Sequence, residues 1–250
     1  MRRKRGAGIR RGDVRRLASR LAWLAGIALS LPHLLSAQSV SPPIAEYQQR
    51  ARSSFRLSNG TLYPLNVVLE LRGFQVTEQG EVVDAPLDTT RLHVKLSAMS
   101  FRIPPRGDYT VFYEATADSL PGWFTILSAM TGARADNGLN VRILLPHVVY
   151  LNQKRPLQAE DVVIRAVEQN TATHHVRVRL ENLSPRLGRV LEVSASAGRT
   201  RTAPVGGFPL FPYMHRWVEA AWEGDALPTH VTVRTARFTV DTTLDGAGYR

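Results

Sequence analysis

Asn140-Val-Arg-Ile-Leu-Leu-Pro-His-Val-Val-Tyr-Leu151 is the stretch on which the reading of this chain turns. Val141, Ile143 and Leu145 lie two residues apart, so an extended backbone sends them to one face and Asn140, Arg142 and Leu144 to the other. Pro146 has no N–H to donate, and it shortens the run over which such a strand pairs. Val148 to Leu151 then reads as a further strand. Working outward, the same two-residue period appears at Phe55-Arg-Leu57, Leu65 to Leu71, Leu92-His-Val-Lys-Leu96, Phe101-Arg-Ile103 and Tyr109-Thr-Val-Phe-Tyr113. Turn chemistry separates these segments. Asn59-Gly60 can take positive φ cheaply, Glu78-Gln79-Gly80 closes a hairpin, and Pro104-Pro-Arg-Gly-Asp108 makes another turn. About eight short strands in roughly 110 residues is the spacing of a β-sandwich.

Asn152-Gln-Lys-Arg-Pro156 is polar and ends in proline, as a boundary does. Beyond it the pattern restarts at Val162–Val167, His175–Leu180, Gly188–Val193, Trp217–Trp222, His230–Arg234 and Phe238–Val240. The chain is therefore expected to be all-β, with sandwiches over residues 38–153 and 154–250 joined by a short linker. One large barrel is the other arrangement the pattern allows.

The charge is uneven. Of 32 Lys/Arg and 21 Asp/Glu, nine bases and one acid fall in residues 1–37, so that segment holds +8 of the net +11. The apolar run Leu21–Leu31 follows the basic stretch, and Leu35-Ser36-Ala37 offers a small residue for cleavage. These are the parts of a secretory signal peptide, and the run is shorter than the roughly 20 residues of a spanning helix. An uncleaved anchor is the alternative. With the leader set aside the balance is near neutral, which removes the case for a nucleic-acid partner. The chain has no cysteine, so thiol chemistry and cysteine metal sites are excluded, and a disulfide-free exported protein suits the periplasm.

Several stretches, in order, resemble the periplasmic pilus (fimbrial) assembly chaperone family, as a divergent member. Ser54-Phe-Arg-Leu-Ser-Asn59 with Tyr63-Pro-Leu65 is similar to the family's opening strands. Leu96 to Gly107 is similar to its hydrophobic strand and Pro-Gly turn, and Asn140 to Leu151 with Arg155-Pro156 to its long last strand and linker. Arg179-Leu-Glu-Asn182 and Gly207-Phe-Pro-Leu-Phe-Pro212 add further likeness in the second unit. The resemblance implies two immunoglobulin-like domains and no cofactor. It also implies binding of exported pilin-like subunits by a donated strand edge, with an outer-membrane usher as a second partner. The subunit-binding residues it implies are Val141, Ile143 and Leu145, with Lys154 and Arg155 as cations for an acidic group. The family's two anchoring cations fall by count at Pro43 and at Tyr150 or Leu151, none of them basic; Arg50 or Arg52 is the substitute on the first strand. The alternative function is an exported structural or adhesive protein of tandem sandwiches with no client.

Enzyme chemistry finds no support. The seven histidines include no pair spaced to share a helix face, and no Gly-x-Ser-x-Gly elbow or Gly-rich phosphate loop is present. The large aromatics are expected in the core, except that Phe208-Pro-Leu-Phe-Pro212 is a candidate exposed binding edge.

Overall fold

The computed structural model describes residues 38–134, 140–224 and 226–244. The expected signal peptide, residues 1–37, lies outside the described residues.

The first sandwich uses β1 (Ser39–Ser41), β2 (Ile44–Gln48), β3 (Arg50–Ser58), β4 (Leu65–Val76), β5 (Val82–Pro86), β6 (Leu92–Leu96), β7 (Ser100–Ile103), β8 (Asp108–Ala117), β9 (Gly122–Arg134) and β10 (Asn140–Asn152). One sheet runs β1-β3-β8-β6. The other runs β2-β10-β9-β4, and the far side of β4 is shared between β7 and β5. Alternation decides what lies between them. Ala51, Phe55 and Leu57 of β3, Leu65, Val67 and Leu69 of β4 and Val111, Tyr113 and Ala115 of β8 are buried in one core, while Arg50, Arg52, Arg56, Asn66 and Val68 point out. Burying each large apolar side chain stabilises by about 1.5–3 kcal/mol.

The second sandwich uses β11 (Val162–Asn170), β12 (His175–Asn182), β13 (Gly188–Ala197), β14 (Thr200–Arg201), β15 (Phe208–Leu210), β16 (His215–Ala221), β17 (His230–Thr235) and β18 (Thr239–Thr243). Its sheets run β11-β12-β16 and β14-β13-β17-β18, with β15 on the edge of β13. Val162, Ile164, Val178, Leu180, Val193, Trp222, Val231 and Val233 fill its core. Among the described residues the sheets form two sandwiches rather than one barrel.

Three local expectations change. The strands read separately at Val141–Leu145 and Val148–Leu151 are one continuous strand, β10, which passes straight through Pro146. Asn59-Gly60 is not a positive-φ turn. Instead Asn59 is buried, its Nδ2 donates to Tyr63 O at 2.8 Å and Pro104 O at 2.9 Å, and its Oδ1 accepts from Thr61 N at 3.0 Å. Asn182 does the same in the second sandwich, donating to Phe211 O at 2.9 Å and accepting from Ser184 N at 3.0 Å. The third change is at Phe208-Pro-Leu-Phe-Pro212, where Phe208, Leu210 and Phe211 are buried, so it is not an exposed edge.

Phe211 belongs to a small aromatic core between the sandwiches. Its ring meets Trp123 at 4.7 Å and Phe74 at 6.2 Å, and Tyr150 and Leu187 complete the cluster. Polar bonds border it. Trp123 Nε1 donates to Phe74 O at 3.0 Å, Trp217 N donates to Glu78 O at 2.8 Å, and Gln153 Nε2 donates to Leu187 O at 2.9 Å.

Candidate functional site

The site is built on β10, and β9 holds it from one side along its whole length. The antiparallel register runs from Leu151↔Gly122 to Ile143↔Met130, then shifts before Val141↔Ala133. Between those last two pairs β9 spends two residues, Thr131 and Gly132, against Arg142 alone on β10. Gly132 takes φ +96°, which a side chain adopts only with strain, and a Cβ there would stand 3.1 Å from Pro64 O.

The other side of β10 is covered for only part of its length. β2 pairs with it in parallel from Val148↔Ile44 to Asn152↔Gln48. From Asn140 to His147 no strand pairs with that side among the described residues. Val148 donates its N–H to Pro43 O at 2.9 Å, which fixes which backbone groups face that way. Residues two apart present N–H and C=O to the same side of a strand. Arg142 and Leu144 therefore offer both groups to the open side, and Pro146 offers its carbonyl alone. The proline sits where no neighbouring strand asks for its missing donor, which is why the strand runs through it.

The side chains divide by parity. Ile143 and Leu145 turn inward and pack, half-buried, against the first sandwich's core. Leu144 turns outward and is 49 % exposed, beside Arg142, which pairs with Glu70 at 3.3 Å. Val141, past the shift in register, is 40 % exposed and is not held against the core with the other two.

Lys154 and Arg155 lie beyond the end of β10, exposed and without an ion pair among the described residues. About seven residues of strand, roughly 23 Å, separate Leu145 from Asn152, so the structure does not bring these cations to the open edge. Of the two substitute cations, Arg52 is engaged with Glu114 at 3.2 Å and Arg50 lies exposed at the start of β3. At the positions where the family's cations fall by count, Pro43 is a backbone acceptor and Leu151 is core. Tyr150 lies beneath Arg189 of β13, whose guanidinium is 5.7 Å from the ring, pairs with Glu46, and donates to Gly207 O at 2.9 Å. The cation in this cleft thus comes from the second sandwich and already has a carboxylate. Burial pushes the Tyr150 phenol up from its ordinary value.

A buried polar chain marks the junction between the open and covered halves of β10. His147 is fully buried, stacked on Phe55 at 4.5 Å, with Nδ1 2.7 Å from Pro42 O and Nε2 3.0 Å from Tyr113 Oη. Burial pushes the imidazole pKa down, against the opposing bond to Pro42, so the ring is neutral. A neutral ring that donates from Nδ1 to a carbonyl must accept at Nε2. The Tyr113 hydroxyl is then the donor to His147, and Tyr47, 2.9 Å away, donates to Tyr113. Burial, followed by the bond with Tyr47, drives the Tyr113 phenol far up. Sequence reasoning did not find this chain, because Pro42, Tyr47, Tyr113 and His147 carry no common motif. Among the described residues no group of three or more His, Cys, Asp or Glu could hold a metal ion.

No family model matches the sequence, and neither does any curated protein. Solved structures do match. The YadV chaperone aligns over 83 % of this chain and 99 % of its own at 12 % identity, with a TM-score of 0.52. A structure of the Salmonella enterica SafA pilin in complex with the SafB chaperone aligns over 84 % of this chain and 97 % of the matched one, at 12 % identity and a TM-score of 0.52. A chaperone–tip adhesin complex of CFA/I fimbriae aligns over 83 % and 98 %, at 6 % identity and a TM-score of 0.50. At such identities the likeness is one of fold, and the fold of this chain is that of the fimbrial and pilus chaperones.

Proposed function

We propose that the chain is an exported, periplasmic chaperone that binds pilin-type subunits by pairing a subunit strand along the open side of β10. One observation carries this reading: Asn140–His147 has β9 on one side and no strand on the other among the described residues. A backbone edge of that kind is a template for another chain's strand. The guest strand takes the N–H groups of Arg142 and Leu144 and the carbonyls of Arg142, Leu144 and Pro146. Val141, Ile143 and Leu145 supply apolar contact on the inward side, and Leu144 supplies it on the outward side. Lys154 and Arg155 are assigned to acidic groups of the bound partner beyond the paired segment. In this reading the subunit is passed on to an outer-membrane usher, and no cofactor takes part.

Leu144→Pro is the test. Its N–H faces the open side, so a proline there removes the partner's hydrogen bond and leaves the ladder to β9 in place. Coexpression with pilin-type subunits encoded beside this chain's gene should yield a complex with the parent and with Leu144→Ala, which keeps the N–H, and none with Leu144→Pro. A complex that survives Leu144→Pro in full would overturn strand pairing at this edge. Failure of every such subunit to bind the parent would favour a structural protein without a client.

A further inference from the structure

The first sandwich carries a cavity of about 210 Å³ where the end of β4 and β5 meet the turns that precede β6 and β9. Gly122 and Trp123, which open β9 beside it, face Leu151 and Tyr150, so it stands at the covered end of β10. Its wall is apolar, made by Pro86, Leu92, Pro121 and the ring of Trp123. The indole N–H is already given to Phe74 O at 3.0 Å, so Trp123 offers the cavity carbon surface alone.

The rim holds two opposite charges that do not satisfy each other. Asp88 and Arg91 both line the cavity and both are exposed, yet among the described residues no ion pair joins them. Each is turned to a neutral partner instead. Asp88 Oδ1 accepts from Thr90 N at 3.1 Å and from Thr90 Oγ1 at 2.6 Å. Arg91 donates to Ser119 Oγ from Nε at 3.1 Å and from Nη2 at 2.6 Å. Asp88 Oδ2 and Arg91 Nη1 make no hydrogen bond among the described residues. The bond from the Thr90 hydroxyl holds the Asp88 carboxyl below its ordinary range, so it is an anion, and a guanidinium is always a cation.

We propose that this cavity binds a free α-amino acid with an apolar side chain. The ammonium lies on Asp88 Oδ2, the carboxylate lies on Arg91 Nη1, and the side chain enters between the two prolines and Trp123. A ligand that is only an anion is repelled by Asp88, and one that is only a cation is repelled by Arg91. A zwitterion is attracted by both. A residue within a peptide carries at most one of the two charges, which sets the free amino acid apart from a peptide segment. The volume, that of about seven waters of bulk liquid, suits one apolar side chain. This inference does not rest on the open edge of β10, and either stands if the other fails.

The test is equilibrium dialysis of the chain against labelled leucine. The parent should bind it saturably, with a Kd of about a millimolar for so small a ligand. N-acetyl-leucine has no ammonium and leucinamide has no carboxylate. Each forfeits one charge-assisted bond and should compete about tenfold less well than leucine. Glycine keeps both charges but has no side chain, and it too should compete less well. Asp88→Asn, which retains an acceptor for Thr90, and Arg91→Gln should each weaken leucine binding by about tenfold. Both positions are exposed, so thermal midpoints equal to the parent's are expected and confirm that folding is unchanged. Absence of saturable binding, competition by either analogue as strong as that of leucine, or undiminished binding in either variant overturns the proposal.

Discussion

The Tyr113 hydroxyl lies 3.0 Å from Nε2 of His147, and that bond joins the two sheets of the first sandwich at the point where β2 begins to cover β10. Tyr113 comes from β8 and His147 from β10, and the imidazole's other nitrogen reaches Pro42, where the chain crosses from β1 to β2. One side chain thus anchors the crossover, the facing sheet and the candidate edge. His147→Phe preserves the stack on Phe55 but strands the Pro42 carbonyl and the Tyr113 hydroxyl. It should cost about 1–3 kcal/mol per group left unsatisfied, read from the urea midpoint at pH 7.5.

The same ring makes stability depend on pH. The folded pKa of His147 is depressed below the ordinary 6.5 by burial, so the unfolded chain binds the proton more readily. Its contribution is complete above about pH 6.5 and is lost as pH falls from there toward the lower folded value. Urea midpoints of the parent should therefore fall faster than those of His147→Phe between pH 7 and pH 5. Parallel curves would show that this ring does not control the loss.

Asn59 and Asn182 should behave alike although they belong to different sandwiches. Each side chain satisfies backbone groups of the loop that follows its strand and of a distant loop, Pro104 for one and Phe211 for the other. Replacing either by Ala is expected to cost about 1–3 kcal/mol for each buried backbone group left alone. Denaturant titration of the two single variants measures it.

Gly132→Ala tests the bulge. The residue sits at φ +96°, and a methyl group would lie 3.1 Å from Pro64 O. About 1–3 kcal/mol of backbone strain is expected. Loss of amide protection should concentrate in β9 and in Val141 to Ile143, as hydrogen exchange would report.

Phe211→Ala should loosen the contact between the sandwiches while leaving each core intact. A large buried aromatic truncated to Ala typically costs about 3–5 kcal/mol, and Trp123, 4.7 Å from the ring, supplies a fluorescence signal for the change.

Alternation made most of the strands legible, because a sheet with one buried face leaves its period in the sequence: β3, β6 and β8 could be read directly from residues such as Phe55, Leu57, Val94 and Val111. What could not be read were the relationships between distant residues. Nothing in Pro42, Tyr47, Tyr113 and His147 as a sequence announces a shared hydrogen-bond chain. Phe208 and Phe211 looked exposed because prolines flank them, yet the second sandwich and its neighbour close over both rings. Pro146 shortens a strand only where a neighbour wants the missing N–H, and on its open side none does among the described residues. The edge residues Val141, Ile143 and Leu145 were placed on one face by counting in twos, but the shift in register at Gly132 sets Val141 apart.

The amide of Val148 is already committed to Pro43, so nothing that aligns with β10 from outside can advance past that residue. β2 is in effect a doorstop. It confines any incoming segment to the stretch from Asn140 to His147, and it dictates which of that segment's amino acids meets Leu144, since the stopping point sets the alignment of everything behind it.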